Sequence, residues 1–200
     1  MILPIVAYGS PILKKEAEEI DENYEGLSAL IDDMFETMYE ASGVGIAAPQ
    51  VDRSIRLFVV DASPFAEDEE DNEEPDPKAA GLAGFKKVFI NPIIENEEGE
   101  EWAFLEGCLS IPNIREEVMR KSKITISYYD ENWDFHRDSY DGYAARIIQH
   151  EYDHIEGVLF TDHLSPLKRR ILKKKLTNIT KGDTDITYRM KFPALKKTKR

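Results

Sequence analysis

Apolar residues at Leu27, Leu30, Ile31, Met34, Phe35 and Met38 recur at helical spacing, which predicts an amphipathic helix over 24–40, ended by Ser42-Gly43. The run Ile55-Arg56-Leu57-Phe58-Val59-Val60 reads as a buried strand, and 87–90 and 102–105 read as two more. Residues 124–129 form a further strand, which turns at Asp130-Glu131-Asn132 into 133–136, a hairpin signal. A helix is expected over 141–156, with Asp141 at its N-cap and Gly157 just past its end. Ser165-Pro166 opens another, whose apolar positions are Leu167, Ile171, Leu172, Leu176 and Ile179 and which Lys181-Gly182 closes. The last segment alternates: Ile186, Tyr188, Met190 and Phe192 on one side, Thr187, Arg189 and Lys191 on the other, the pattern of a half-buried strand.

Strands and helices are interspersed without a βαβ rhythm. The expected fold is therefore α+β: mostly antiparallel sheets around a central helix at 141–156, with a C-terminal helix and terminal strand. Two hundred residues fit one catalytic domain. An acidic loop is inserted at 62–85, and a basic helix and tail occupy 165–200. With 42% hydrophobic residues the chain has the means to build a core, which excludes a disordered reading.

Charge changes the picture at one end. Residues 167–200 carry 13 Lys/Arg and 2 Asp/Glu, whereas the rest of the chain has 13 and 37. A basic end on an acidic body suits either an anionic partner or plain solvation. The lone cysteine, Cys108, excludes an internal disulfide, and the apolar opening is too short for a signal sequence, so the cytoplasm is the expected compartment. No stretch reaches the length needed to span a bilayer. Neither a membrane nor DNA is expected as a partner.

The strongest chemical signal is His150-Glu151-Tyr152-Asp153-His154, an H-E-x-x-H pattern. Positions four apart share a helix face, so both imidazoles can reach one metal ion, while Glu151 can accept a proton from metal-bound water. Two of the chain's four histidines lie here, and Tyr143 and Ile147 place an apolar strip on the same face. A hydrolytic site needs a third protein ligand and an open position. Glu156, Asp162 and His163 are close in sequence. The alternative is upstream, Glu106-Gly107-Cys108-Leu109-Ser110, where a Cys108 thiolate would suit a borderline divalent ion. Cys108 also admits a buried structural role, or a nucleophilic one with a histidine base. A third stretch, Gly43-Val44-Gly45-Ile46-Ala47-Ala48-Pro49-Gln50, brings flexible backbone and a neutral amide that can donate to a developing oxyanion.

Taken together and in this order, G-V-G-I-A-A-P-Q, E-G-C-L-S and Q-H-E-Y-D-H resemble the three motifs of the peptide deformylases, and the opening I-L-P-I-V-A-Y-G-S-P-I-L is similar too. The resemblance covers 2–164, less the acidic insertion. It implies that Cys108, His150 and His154 bind a metal, typically Fe2+, with Zn2+, Ni2+ or Co2+ able to substitute. It makes Glu151 the general base and acid, and Gln50 with the Leu109 N–H the oxyanion hole. Gly45 and Arg115 would contact the substrate, and Val44, Tyr143 and Ile147 would line the methionine pocket. Glu106, Arg120 and Asp153 fit a supporting charge network. The implied reaction is removal of the N-formyl group from the first methionine of nascent chains, with formate released. The substrate would emerge from the ribosome, whose rRNA phosphates are the implied partner of the basic segment. A metallopeptidase cutting internal bonds and a non-catalytic ribosome-associated module are the alternatives. The sequence departs from the family pattern in the insertion, in Ile155 where leucine is usual, and in the tail beyond Gly182.

Overall fold

The computed structural model describes residues 1–67 and 76–193. The antiparallel core sheet has the order β2 (Gly45–Ala47), β3 (Leu57–Asp61), β4 (Lys86–Cys108), β5 (Ile111–Tyr129) and β6 (Phe135–Asp141). Alternation along β3 decides what packs where, because successive side chains point to opposite faces. Phe58 and Val60 face α3 (Gly142–Ile155) in a cluster with Phe89, Ile124, Ala145 and Ile148. Leu57 and Val59 face α1 (Leu27–Glu40), packing with Ile31, Met34, Met38, Val88 and Ile90. Burial on both faces explains why β3 reads as an unbroken apolar run. The helix bearing the H-E-x-x-H motif is thus pinned against the sheet by Ala144, Ala145, Ile147, Ile148 and Ile155.

A third cluster joins the N-terminal segment, β5 and α4 (Pro166–Thr180) through Leu13, Ile111, Ile114, Val118, Leu172, Leu176 and Ile179. Ser165 caps α4, its hydroxyl accepting from the Lys168 N–H. The strand β1 (Ile5–Val6) pairs in parallel with β7 (Met190–Lys191), joining the segments around residues 5 and 190.

The fold class is the expected α+β, with differences in detail, among them a terminal strand that covers Met190–Lys191 alone and not 186–192. The helix α1 starts three residues late, because Gly26 takes a left-handed conformation (φ 75°) before it. The separate strands expected at 87–90 and 102–105 are one strand, β4, paired with the still longer β5 through several register shifts. Its middle is exposed and polar, carried as a ribbon by ion pairs such as Lys123–Glu98, so it leaves no hydrophobic alternation to read. In the acidic stretch, α2 (Ser63–Glu67) and a 3-10 turn (Pro77–Ala79) form, and 68–75 lie outside the described residues. Leu167 and Ile171, expected on the apolar side of α4, are exposed (68% and 69%).

Candidate active site

Three elements bring the candidate residues together. The first is β2 with the 3-10 turn Ala48–Val51 that follows it, on which the Gln50 side chain folds back so that its carbonyl accepts the Ala47 N–H at 2.8 Å. That choice turns the amide nitrogen inward, 3.3 Å from Ser110 Oγ and 3.5 Å from Cys108 Sγ. The second is the two-residue turn Leu109-Ser110 joining β4 to β5, where Cys108 pairs with Ile111. The third is α3, which carries His150, Glu151 and His154.

Cys108 Sγ lies 3.2 Å from His154 Nε2, and one ligand atom each from Cys108, His150 and His154 fall within 4.8 Å of one another. Burial alone would raise the Cys108 thiol, but the adjacent His154 and His150 outweigh it and bring it down to about 5, so it is poised as a thiolate. His150 Nδ1 is held by Glu106 at 2.9 Å, which leaves Nε2 for an ion. Glu106 is itself gripped by Arg120 at 2.7 and 3.0 Å and by Arg146 at 3.0 Å. Burial would raise its carboxyl, yet the His150 and Arg120 hydrogen bonds hold it well below the usual carboxylate range. Arg120 reaches on to Asp153 at 2.8 Å. The donor chemistry, a thiolate and two imidazoles, of which His150 is oriented by Glu106, fits a divalent ion with one position left open.

Glu151 is buried (4% exposed), and among the described residues its Oε2 has no hydrogen-bond partner. Burial, opposed by His150 and His154, raises its carboxyl to about 7, which suits a group that takes and returns a proton near neutrality. The site makes room for it at Gly45: a Cβ there would lie 2.5 Å from Glu151 Oε1. Gly43 plays the same part for Leu109, whose Cδ1 would meet an added Cβ at 2.8 Å.

A cleft of about 880 Å³ opens beside these groups. Val44, Gly45, Leu109, Arg115 and Ile147 line it, with Arg115 exposed at its rim. Tyr143 stands behind the cleft, stacked on the lining residue Phe65 of α2 (centroids 4.9 Å apart), with its hydroxyl on Asp76 at 2.7 Å. The other third-ligand candidates are engaged elsewhere. Glu156 pairs with Arg56 at 2.6 Å, Asp162 with Lys14 and the Leu159 N–H, and His163 with Asp153 at 2.7 Å. Sequence reasoning missed Arg146, Phe65, Phe104 and Tyr188, all of which line the cleft. Arg146 carried a usable signal, because it stands four residues before His150 and so on the same stripe of the helix as both imidazoles.

The family model described as Polypeptide deformylase matches residues 2–170. The chain is 58% identical over 199 residues, all of both chains, to a protein of Christiangramia forsetii named peptide deformylase. It is 56% identical over 192 residues to one of the same name from Flavobacterium psychrophilum, covering 96% of this chain and 97% of that one. The crystal structure of a peptide deformylase from Legionella pneumophila superposes with a TM-score of 0.75 at 37% identity, over 90% of this chain and 96% of that one. On these grounds the chain belongs to the polypeptide deformylase family, metal-dependent hydrolases that remove the N-formyl group from nascent peptides.

Proposed function

We propose that Cys108, His150 and His154 hold the metal, that Glu151 moves the proton, and that Gln50 with the Leu109 N–H receives the oxyanion. The convergence of one sulfur and two imidazoles beside a buried carboxylate carries this reading. A divalent ion at that point would bring the pKa of a bound water from 15.7 toward roughly 7. Glu151 accepts the water's proton and later delivers it to the leaving amine. Gln50 Nε2 and the Leu109 N–H donate to the oxygen that gains charge as the formyl carbon becomes tetrahedral. The methionine side chain enters beside Val44 and Ile147, with Tyr143 backing the lining residue Phe65, while Gly45 and Arg115 hold the peptide. Glu106, Arg120 and Asp153 keep the His150 ring oriented. Residues 1–200 act as one catalytic domain in the cytoplasm, with 62–85 an acidic inserted loop and 165–200 a basic appendage.

Thiolate and imidazole donors suit zinc as well as iron. The choice of Fe2+ as the native ion rests on the resemblance to the family, with Zn2+, Ni2+ or Co2+ as substitutes. Anaerobically purified protein should contain about one iron per chain. Chelation should abolish formate release from formyl-Met-Ala-Ser, and Fe2+ should restore it more fully than Zn2+. Full activity in an iron-free, zinc-loaded chain sets iron aside.

The partner proposed for the basic segment is the ribosome surface. Arg169, Arg170, Lys173, Lys174 and Lys175 are exposed on α4 beside the uncovered Leu167 and Ile171, whereas Lys168 is paired with Glu116 at 2.9 Å. Phosphate contacts of this kind weaken steeply with salt. The protein should pellet with ribosomes at low salt and dissociate at high salt. Changing Lys173, Lys174 and Lys175 to Glu should abolish pelleting at low salt. Equal pelleting of wild type and variant at low salt ends the idea.

A further inference from the structure

The segment after α4 returns to the catalytic turn. Beyond Gly182 the Asp185 carbonyl accepts from Asn113 Nδ2 at 2.6 Å, and further on β7 pairs with β1. Between these anchors Asp185, Ile186, Thr187 and Tyr188 line the cleft. Tyr188 is half-buried against the α1 side of the core, and its hydroxyl donates to the Leu109 carbonyl at 2.7 Å. Burial raises its phenol above the usual range, so the hydroxyl keeps its proton and remains a donor.

What that bond holds is a two-residue turn with functional groups on both sides. Leu109 follows Cys108, and its own N–H faces the reaction in the assignment above. The Ser110 carbonyl accepts from the Tyr8 N–H at 2.9 Å, and Ser110 Oγ accepts from Gln50. The Leu109 carbonyl is left to Tyr188. The Leu109 N–H belongs to the preceding peptide, joined to this one through the Leu109 Cα, so in so short a turn a plane that loses its partner frees the φ and ψ of Leu109 and loosens the aim of that N–H. An oxyanion donor works only when it is aimed in advance, so a small rotation costs rate without costing affinity.

The geometry points to Tyr188 as a positioning residue of this reaction: its hydroxyl fixes the Leu109-Ser110 peptide and so keeps the Leu109 N–H on the developing oxyanion. The inference rests on the Leu109 oxyanion role proposed above. Tyr188→Phe removes the hydroxyl and leaves the ring packing in place. Its kcat, normalised to bound metal, should fall about fivefold, the scale of one hydrogen bond. The fall should be equal on formyl-Met-Ala and formyl-Met-Ala-Ser, with KM within about twofold on both. Amides of residues 107–111 should exchange faster in the native variant than in wild type. An unchanged kcat overturns the proposal, as does unchanged exchange. A KM that rises with peptide length at constant kcat also overturns it, because Tyr188 would then be only a wall of the cleft. Measuring Gln50→Ala alongside separates the two levels. If that variant is slow while Tyr188→Phe is not, the positioning role fails and the oxyanion assignment stands. If neither is slow, the oxyanion assignment itself has failed.

Discussion

Glu151→Ala should lower kcat by about 10³-fold, within the range removed with a positioned acid–base group, while the chain keeps its metal. The metal stays because Cys108, His150 and His154 are untouched, and the hold on His150 comes from Glu106, not Glu151. Stability should be preserved or rise. The wild-type carboxylate is buried with one oxygen unpartnered among the described residues, and burying such a group costs free energy that an alanine does not. The expected profile is therefore a dead enzyme with full metal content and an unfolding temperature no lower than wild type. A variant that released formate at the normal rate would show that Glu151 moves no proton in the reaction.

Gln50→Ala should cost about 10²-fold in kcat, the scale of one lost oxyanion donor, with KM little changed. Here stability should fall as well, by about 1–3 kcal/mol, because the buried Ala47 N–H loses its acceptor. The two effects separate in Gln50→Glu. A carboxylate oxygen can still accept from Ala47, but nothing remains to donate, and a negative charge is added beside the Cys108 sulfur. That variant should match or exceed the rate loss of Gln50→Ala. Unchanged kcat in both variants removes Gln50 from the oxyanion site.

The parts of this site that were legible in the sequence are those fixed by local spacing. Two histidines four apart on a helix, the neighbouring glutamate and the glycines of the 43–50 stretch each announce their geometry through a few consecutive positions. Cys108 could be ranked only against rivals, because its approach to the histidines is made by tertiary structure. The structure sends those rivals, Glu156, Asp162 and His163, to partners of their own. The β4–β5 ribbon was hidden because its exposed middle is charged on both faces, so no apolar period marks it. Alternation in 186–192 was real, and every second residue is half-buried, yet hydrogen bonds make a strand of Met190–Lys191 alone. Side-chain periodicity reports which face is covered, not whether a neighbouring backbone is present to pair. For Arg146 the spacing marks only that it shares the stripe of the imidazoles; what a buried guanidinium does there is told by Glu106, which accepts from it, and by the Trp102 carbonyl 2.6 Å away. Leu167 and Ile171 erred the other way, since helical spacing cannot say where a core ends.

The catalytic turn is gripped by two segments far apart in the sequence: the Tyr8 N–H takes the Ser110 carbonyl and the Tyr188 hydroxyl the Leu109 carbonyl before it. The speed of the reaction should therefore depend on two segments, around residues 8 and 188, that carry neither a metal ligand nor the proton-transfer group.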